Sequence, residues 1–317
     1  MIQNLCFMKK DFYKNLNKGA LALAPMAGVA DSAFRQMCKK FGADVLYSEM
    51  ASVTALFYAP EKTLELVEFA ELERPYVVQL FGCDPEHFAH ATRIITEKVK
   101  PDGIDINFGC PVPKVRKQGA GAVLMADMKK AREVIKATID NTDLPVSIKT
   151  RTKSGEVEIL NFLEYINDLD IKALMIHGRT LNQGFAGEID MAVIKKARDY
   201  FGGFIFANGG INSVADAEIV MRETEADGLA LARGALGRPW LFEEIKNKQE
   251  KIIDKNFIIE IALEHARLAE KLKGQTGIVE LRKHLCAYVG GLPGARELRG
   301  KMVGVNSVGD IEKIFNL

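Results

Sequence analysis

The stretch PYVVQLFGCDPEHFAHATRIITEKVKPDGIDINFGC, residues 75–110, contains one complete strand–helix–strand unit. The runs PYVVQLFG (75–82) and GIDINFGC (103–110) are short and apolar, as expected of strands buried in a sheet. Between them, DPEHFAHATRIITEKV (84–99) has apolar residues at helical spacing, with Asp84 as its predicted N-cap and Pro85 at the first helical position. This order predicts a parallel βαβ unit.

The same unit recurs along most of the chain. Short apolar segments alternate with helical ones, and the predicted strands are residues 21–28, 44–50, 75–82, 103–110, 145–151, 173–180, 204–210 and 228–235. Eight such units in about 215 residues predict a (β/α)8 TIM barrel. A doubly wound α/β sheet is the alternative, and it is weakened because no glycine-rich nucleotide-binding motif follows the first strand.

The pattern changes after the eighth unit. From about Leu241 it is wholly helical, through IKNKQEKIIDKNFIIEIALEHARLAEKLKG and IVELRKHLCAYVGGLPGARELRGKM. We therefore expect a barrel domain over residues 1–240 and a small all-helical C-terminal domain over residues 241–317.

Composition limits the partners and the compartment. The 317 residues include 43 Lys and Arg against 42 Asp and Glu, so net charge by itself indicates no polyanionic partner. No apolar run reaches transmembrane length, and the N-terminus has no signal-peptide core, so we expect no membrane. The five cysteines are scattered, odd in number and lack metal-ligand spacing, which favours a reducing cytoplasm and no metal site: Cys6, Cys38, Cys83, Cys110 and Cys286. We expect a monomer, since nothing indicates an obligate protein partner.

Polar residues accumulate at the ends of the predicted strands. The active site of a TIM barrel lies where the C-terminal ends of all eight strands meet, so these side chains should line one mouth. Together they predict a pocket for a polar, planar or anionic ligand. The polar residues at the strand ends are Gln79, Asp105, Asn107, Lys149, Arg151, His177, Arg179 and Asn208.

Glycines follow the last two strands, in NGGINSVADAEIVM (208–221) and LARGALGRPW (231–240), each beside the start of a helix. The loops after strands seven and eight are the usual phosphate site of this fold, where free backbone N–H groups meet an anion. Arg233 can add a charge-assisted hydrogen bond. These stretches predict an anion site.

Several segments together resemble one known family. They are APMAGVADSAFR (24–35), YSEM (47–50), QLFG (79–82), DINFGCPVPKV (105–115), GAGAVLM (119–125), SIKTRTK (147–153), IHGRT (176–180), ANGGI (207–211), LARGALGRPW (231–240) and RKHLCAYVGGLPGARELRGKM (282–302). In these the chain is similar to the tRNA-dihydrouridine synthases, specifically the bacterial B-type branch. The chain departs from many members at Gly210, where they carry an acidic residue.

The resemblance implies FMN-dependent reduction of uridine to 5,6-dihydrouridine in the D-loop of tRNA, with NADPH as the reductant. It also assigns roles by position. Cys110 would be the general acid, and the flavin would be held by Pro25, Met26, Ala27, Gln79, Lys149, His177, Asn208, Gly209, Gly210, Ala232 and Arg233.

A thiol suits the proton-donating role. Reduction of the uracil 5,6 double bond needs a hydride at one carbon and a proton at the other, so a separate acid must face the flavin across the base. A thiol with a pKa near 8.5 is mostly protonated at neutral pH. Pro111 and Pro113 restrict the turn that follows Cys110. The other four cysteines lack such a setting and are expected to be inert.

Binding of tRNA would need basic and polar groups around the mouth and on the tail. The predicted RNA contacts are Asn107, Lys114, Arg116, Arg151, Arg179, Arg282, Lys283 and His284, with Lys117, Lys153, Arg296, Arg299 and Lys301 nearby. Two alternatives stay open. One is an FMN barrel reductase of a small molecule, similar to dihydroorotate dehydrogenase, and the other is a non-catalytic flavin- or RNA-binding protein.

Overall fold

Eight parallel strands form a closed barrel in the computed structural model, which describes residues 11–317. The eight barrel strands follow chain order, interrupted only by a short two-stranded antiparallel hairpin. The strands are β1 (Ala20–Leu23), β2 (Val45–Ser52), β3 (Tyr76–Phe81), β4 (Gly103–Phe108), β5 (Val146–Arg151), β6 (Lys153–Ser154), β7 (Val157–Glu158), β8 (Ala173–His177), β9 (Phe204–Asn208) and β10 (Gly228–Leu231). The TIM-barrel prediction is confirmed.

Helices surround the barrel and continue beyond it. They are α1 (Ser32–Lys40), α2 (Val53–Tyr58), α3 (Glu61–Leu66), α4 (Pro85–Ile94), α5 (Pro113–Arg116), α6 (Met128–Ile139), α7 (Ile159–Tyr165), α8 (Met191–Lys196), α9 (Val214–Thr224), α10 (Leu241–Asn247), α11 (Lys255–Tyr288), α12 (Ala295–Met302) and α13 (Val308–Phe315). None of the described helices is both long and apolar enough to cross a membrane.

The segment that predicted the fold forms the expected unit. Asp84 caps α4, because its carboxylate accepts hydrogen bonds from the backbone N–H groups of Glu86 and His87. A π-helical turn, Ile95–Val99, extends the helix to the predicted end. Each predicted strand is present, but five of the eight end two to five residues earlier than the apolar pattern suggested, because the last residues leave the barrel and turn into the mouth.

The N-terminal end of the barrel is closed by a 3-10 turn, Phe12–Asn15. Tyr13 enters the barrel from this turn, and its hydroxyl lies 3.0 Å from the hydroxyl of Tyr47 on β2. Small and aromatic side chains such as Ala22, Val77 and Phe206 fill the interior above it. The interior of the barrel is therefore packed at this end.

The C-terminal helices pack against α1 and the last barrel loop. Helix α11 is broken at Gly274, which has non-helical backbone angles. Gly237 (φ +74°) approaches the backbone of Ala287 so closely that a Cβ there would lie 2.6 Å from the Ala287 carbonyl carbon. Glycine therefore permits the helical tail to contact the barrel directly at this point.

Candidate active site

A cavity of about 380 Å³ lies at the C-terminal ends of the strands. This volume is within the usual range of sites for small molecules and cofactors. The predicted general acid and all the predicted flavin-binding residues line this cavity: Pro25, Met26, Ala27, Gln79, Cys110, Lys149, His177, Asn208, Gly209, Gly210, Ala232 and Arg233. Of the predicted RNA contacts, Asn107, Arg151 and Arg179 line it as well.

Strand register brings these side chains together. Asn107 on β4 pairs with Lys149 on β5, and Arg151 on β5 pairs with His177 on β8, which in turn pairs with Asn208 on β9. Because the strands are parallel, residues at equal height meet at the same end of the barrel. Groups distant in sequence therefore form one ring at the mouth.

Cys110 is held by its backbone. The side-chain oxygen of Asn107 accepts hydrogen bonds from the N–H groups of Gly109 (3.0 Å) and Cys110 (2.9 Å), and the carbonyl of Cys110 accepts from Ala122 N (3.1 Å). Gly121 (φ +67°) lies against this carbonyl, where a Cβ would be only 2.8 Å from the oxygen. The half-buried thiol is thus fixed in place at the edge of the cavity.

Burial raises the pKa of the Cys110 thiol above its usual value, although a backbone hydrogen bond at Val112 and the charges of Lys149 and Arg151 act in the opposite direction. The thiol is consequently protonated at neutral pH. A protonated group at the rim of a cavity can donate a proton to a ligand bound there.

Lys149 and His177 carry unusual protonation equilibria. Burial, followed by the charge of Arg151, lowers the pKa of Lys149 to about 8, and Asp105 partly offsets the effect. Burial and the neighbouring cations, Lys149 foremost, lower the pKa of His177 to about 2. At neutral pH the cavity therefore presents a cationic amine and a neutral imidazole, with an excess of positive charge that favours an anionic ligand.

Arg151 and Arg179 are buried and bind backbone carbonyls. Arg151, which is 1% exposed, donates to the carbonyls of Gly109 (2.8 Å), Thr180 (3.0 Å) and Gly184 (2.8 Å). Arg179 donates to the carbonyls of Ala186 and Gly187 and lies 3.2 Å from His177 Nε2. Both guanidinium groups therefore brace the loop after β8, and Arg151 ties that loop to the Cys110 turn.

An anion cradle lies beside this loop. Within residues 11–317, the backbone N–H groups of Gly209 and Gly210 have no protein acceptor, and both residues line the cavity at positive φ. The guanidinium of Arg233 lies 4.7 Å from the ring centre of Phe185 and is exposed. Gly210 carries no carboxylate that would repel an anion, so the chain's departure from many relatives is compatible with an anion site. A phosphate and the ring system of FMN fit these donors and this volume.

The remaining basic residues lie outside the cavity. Lys114 and Arg116 are exposed on α5, immediately after the Cys110 turn. In the tail, Lys283 is exposed, whereas Arg282 is half-buried and donates to the carbonyl of Val305 (2.9 Å) and to Asn306 Oδ1 (3.0 Å).

The expectation that His284 contacts RNA is wrong. Its side chain is fully buried, 4.6 Å from the ring of Phe34 and 4.9 Å from that of His265 between ring centres. Helical periodicity explains the error, because His284 follows two basic residues in sequence but belongs to the apolar face of α11 together with Leu281 and Leu285.

Several cavity residues escaped the sequence analysis. Met50 comes from the end of β2, Val112 from the Cys110 turn and Phe185 from the loop after β8. Phe185 is 56% exposed and also lies 6.2 Å from the ring of His177. An aromatic residue between two glycines, in GFAG, was the available signal for a loop that covers a ligand.

Solved structures share the barrel. The chain superimposes on histamine dehydrogenase from Rhizobium sp. 4-9 with a TM-score of 0.56 and 12% identity, covering 80% of this chain and 49% of that one. Its TM-score with TcOYE, a structure containing pHBA, is 0.53 at 11% identity, with 74% of this chain and 90% of that one covered. At these identities the likeness concerns the fold.

Sequence comparisons identify the family. The family model for dihydrouridine synthase (Dus) matches residues 22–314. A probable tRNA-dihydrouridine synthase of Aquifex aeolicus is 33% identical over 303 residues, covering 94% of this chain and 96% of that protein. The tRNA-dihydrouridine synthase B of Pseudomonas syringae pv. tomato is 35% identical over 292 residues, covering 88% of this chain and 85% of that protein. The chain therefore belongs to the dihydrouridine synthase family of enzymes.

Proposed function

We propose that this enzyme reduces uridine to 5,6-dihydrouridine in the D-loop of cytoplasmic tRNA, using bound FMN that NADPH reduces, and that it acts as a monomer. The observation that supports this most directly is the position of Cys110. A protonated thiol, fixed by Asn107 and Gly121, shares one cavity with a cationic lysine and an anion cradle.

The cofactor and the protein would supply different parts of the reaction, the hydride and the proton. FMN, when bound and reduced, supplies a hydride to one carbon of the uracil 5,6 double bond. Cys110 Sγ would hold the proton that the other carbon receives, and its raised pKa keeps that proton in place until transfer. The loss of one proton from Cys110 per turnover requires its return from solvent through the open mouth.

Other residues would bind and orient the cofactor. The ammonium group of Lys149 would stabilise negative charge on the flavin ring, and the neutral His177 would donate or accept a hydrogen bond without adding charge. Gly209, Gly210 and Arg233 would bind the phosphate. Phe185 and Arg179, whose loop is braced by carbonyl contacts, would exclude water from one side.

The helical region would hold the RNA. Burial raises the pKa of Glu49 on β2, and the charges of Lys273 and Lys283, on either side of the break in α11, partly offset this increase. Glu49 accepts a hydrogen bond from the N–H of Gly28, in the loop that contributes Pro25, Met26 and Ala27 to the cavity. The charges of two tail lysines therefore act on a residue that holds a cavity loop, which supports residues 241–317 as the tRNA-binding domain.

The test is mapping of dihydrouridine in tRNA from cells that lack this gene, before and after incubation with purified protein, FMN and NADPH. We expect dihydrouridine to appear at D-loop positions only when all components are present. Replacement of NADPH by NADH measures the reductant preference. Unchanged tRNA from a protein that carries reducible FMN would reject the proposal and favour a small-molecule reductase.

A further inference from the structure

A buried carboxylate lies directly beneath the cavity. Asp105, in the middle of β4, is fully buried and does not line the cavity. Its Oδ1 accepts a hydrogen bond from Ser147 Oγ (2.6 Å) and its Oδ2 from Gln79 Nε2 (2.7 Å). The mechanism proposed above does not use this group, so its retention in an apolar barrel needs a reason.

Hydrogen bonds connect this carboxylate to Cys110. Gln79 Oε1 accepts from Asn107 Nδ2 at 2.8 Å, and Asn107 Oδ1 accepts from the backbone N–H of Cys110 at 2.9 Å. The chain therefore runs from Asp105 through two amide side chains to the residue that carries the thiol. Each member is buried except Cys110, which is half-buried.

The groups at the two ends of this series of hydrogen bonds determine which amide atoms donate and which accept. An ionised carboxylate can only accept hydrogen bonds, and a backbone N–H can only donate. Asp105 therefore requires the amino group of Gln79, which turns Gln79 Oε1 toward Asn107. Asn107 must in turn present its amino group to Gln79 and its oxygen to Cys110. With an acceptor at one end and a donor at the other, only one orientation of the two amides satisfies every group.

We propose that Asp105 is a positioning residue, whose carboxylate sets the orientation of the Gln79 and Asn107 amides and thereby holds the backbone of Cys110 and the face that Gln79 turns to the cavity. This role rests on the proposed function, in which Cys110 is the acid and Gln79 contacts the flavin, and it gives both residues a common support.

The surroundings keep the carboxylate ionised at neutral pH. Burial raises the pKa of Asp105 to about 6, while hydrogen bonds from Ser147 and Gln79 and the charge of Lys149 limit the increase. The other ionisable groups beside it are the phenols of Tyr13 and Tyr47, whose pKa values burial raises, so they stay neutral. Below pH 6 a protonated Asp105 carries no charge, so its hydrogen bond to Gln79 is weaker and the two amides are held less firmly.

The experiment compares the full-length protein with its Asp105→Ala, Asp105→Asn and Asp102→Ala variants. Alkylation of Cys110 by iodoacetamide is followed by mass spectrometry of its peptide between pH 5 and 9, without FMN, and FMN affinity is measured separately. Asp102 is the control, because it also binds β3, through Tyr76 N (2.8 Å), but at the opposite end of the barrel.

We expect Asp105→Ala to weaken FMN affinity about tenfold, as for the loss of a charge-assisted hydrogen bond, and to change the Cys110 alkylation rate by roughly threefold or more. Asp105→Asn should recover most of the affinity at pH 7, since its oxygen can still accept from Gln79, but should lose the wild-type inflection near pH 6. Asp102→Ala should leave both measurements unchanged.

Wild-type FMN affinity and alkylation in Asp105→Ala, or equal changes in Asp102→Ala, would overturn the inference. If Asp105→Ala does not fold, an unaltered pH 6 inflection in Asp105→Asn would overturn it instead. The alkylation readout needs neither FMN nor tRNA, so it can succeed while the proposed function fails, and the two failures are distinguishable.

Discussion

At the scale of single residues, the chemistry of the site depends on burial more than on residue type. Partial burial raises the pKa of the Cys110 thiol above its usual value, and burial lowers the pKa of the Lys149 ammonium to about 8. Cys38 is also a buried thiol with a raised pKa, but it lies in the hydrophobic core and does not line the cavity. Cys83 and Cys286 likewise do not line the cavity, and Cys6 lies outside the described residues.

Replacement of Cys110 by alanine separates proton donation from cofactor binding. We expect Cys110→Ala to retain bound FMN and to form dihydrouridine at least about 100-fold more slowly, which is the usual contribution of a general acid. Single-turnover kinetics with reduced protein and unmodified tRNA measure the effect. Cys83→Ala is the matched control and should behave as wild type. A normal rate in Cys110→Ala would remove the thiol from the mechanism.

At the scale of elements, a buried ion pair supports the flavin loop. Arg35 on α1 and Glu73 lie 2.5 Å apart with both side chains fully buried. Arg35 also donates to the carbonyl of Ala30 (2.8 Å), at the end of the loop that begins with Pro25. Glu73 accepts from the backbone N–H of Ala70 (2.9 Å). The pair therefore fixes the start of α1 relative to the segment before β3.

Loss of one member of this pair should be costly. Glu73→Ala leaves a buried guanidinium without its counter-ion, and we expect the free energy of unfolding to fall by about 3–5 kcal/mol. Urea denaturation followed by circular dichroism measures it. Glu71→Ala is the control, because Glu71 pairs with Arg74 at the surface and should have little effect. Equal effects of the two substitutions would contradict the assignment.

A second element-level feature is a pair of buried histidines on α11 that packs against Phe34 of α1. His265 Nδ1 lies 3.1 Å from the hydroxyl of Tyr288, and the rings of His265 and His284 contact one another edge to face. Burial lowers the pKa of His284 to about 4 and that of His265 well below its usual value. Asp31 favours protonation of His284, and Lys283 opposes it.

These shifts make the folded state sensitive to acid. The unfolded histidines take up protons below about pH 6.5, whereas the folded ones do not, so stability is present above that pH and is lost as pH falls toward 4. His284 alone should account for roughly 3 kcal/mol of this loss. Urea denaturation at pH 7.5, 6 and 5 measures it, and His284→Leu should reduce the slope. Asp105 has a pKa raised by folding, so its protonation stabilises the folded state as pH falls and partly offsets the effect of the histidines. An unchanged dependence of stability on pH in His284→Leu would contradict the prediction.

At the scale of the whole molecule, the helical tail and the barrel form one continuous core. His284 and Phe34 pack between α11 and α1, and Trp240 at the end of the barrel lies against Phe257 and Tyr288. Lys40 on α1 forms an ion pair with Glu264 on α11. Contacts at these points fix Lys273 and Lys283 relative to the barrel, as the proposed tRNA contact requires.

Charge reversal at Lys283 tests that surface. We expect Lys283→Glu to weaken tRNA binding and to lower the slope of log affinity against log salt by about 0.7–0.9, the value for one phosphate contact. FMN content should not change. Lys196→Glu is the control, since Lys196 is exposed at the C-terminal end of α8, at the opposite end of the barrel. Filter binding at several salt concentrations measures the slope for each variant and for the wild type. A slope for Lys283→Glu equal to that of the wild type would exclude a phosphate contact at Lys283.

The pattern of apolar residues alone was sufficient for the eight strands, the barrel and the polar mouth. Strand and helix periods are local properties, and parallel strands joined by helices have few ways to close. The motif residues from Pro25 to Arg233 meet in one cavity because each lies at the C-terminal end of a strand. Their convergence is a consequence of topology, which sequence order already specifies.

Tertiary structure decided which polar groups are free and which are engaged. His284 and Lys283 are adjacent in sequence, yet one is buried against Phe34 and the other is exposed, because a helix turns them to different sides. From the sequence alone, Arg151 is a cation that RNA could contact. In the structure, the carbonyl groups of Gly109, Thr180 and Gly184 occupy most of its N–H donors. Asp105 reads as one polar strand residue among several, and only its bonds to Ser147 and Gln79 connect it to Cys110. Hydrogen-bond partners and solvent exposure depend on residues far away in the chain, and for that reason the sequence determined the fold and the chemistry available, while the packed structure decided which groups are free to use it.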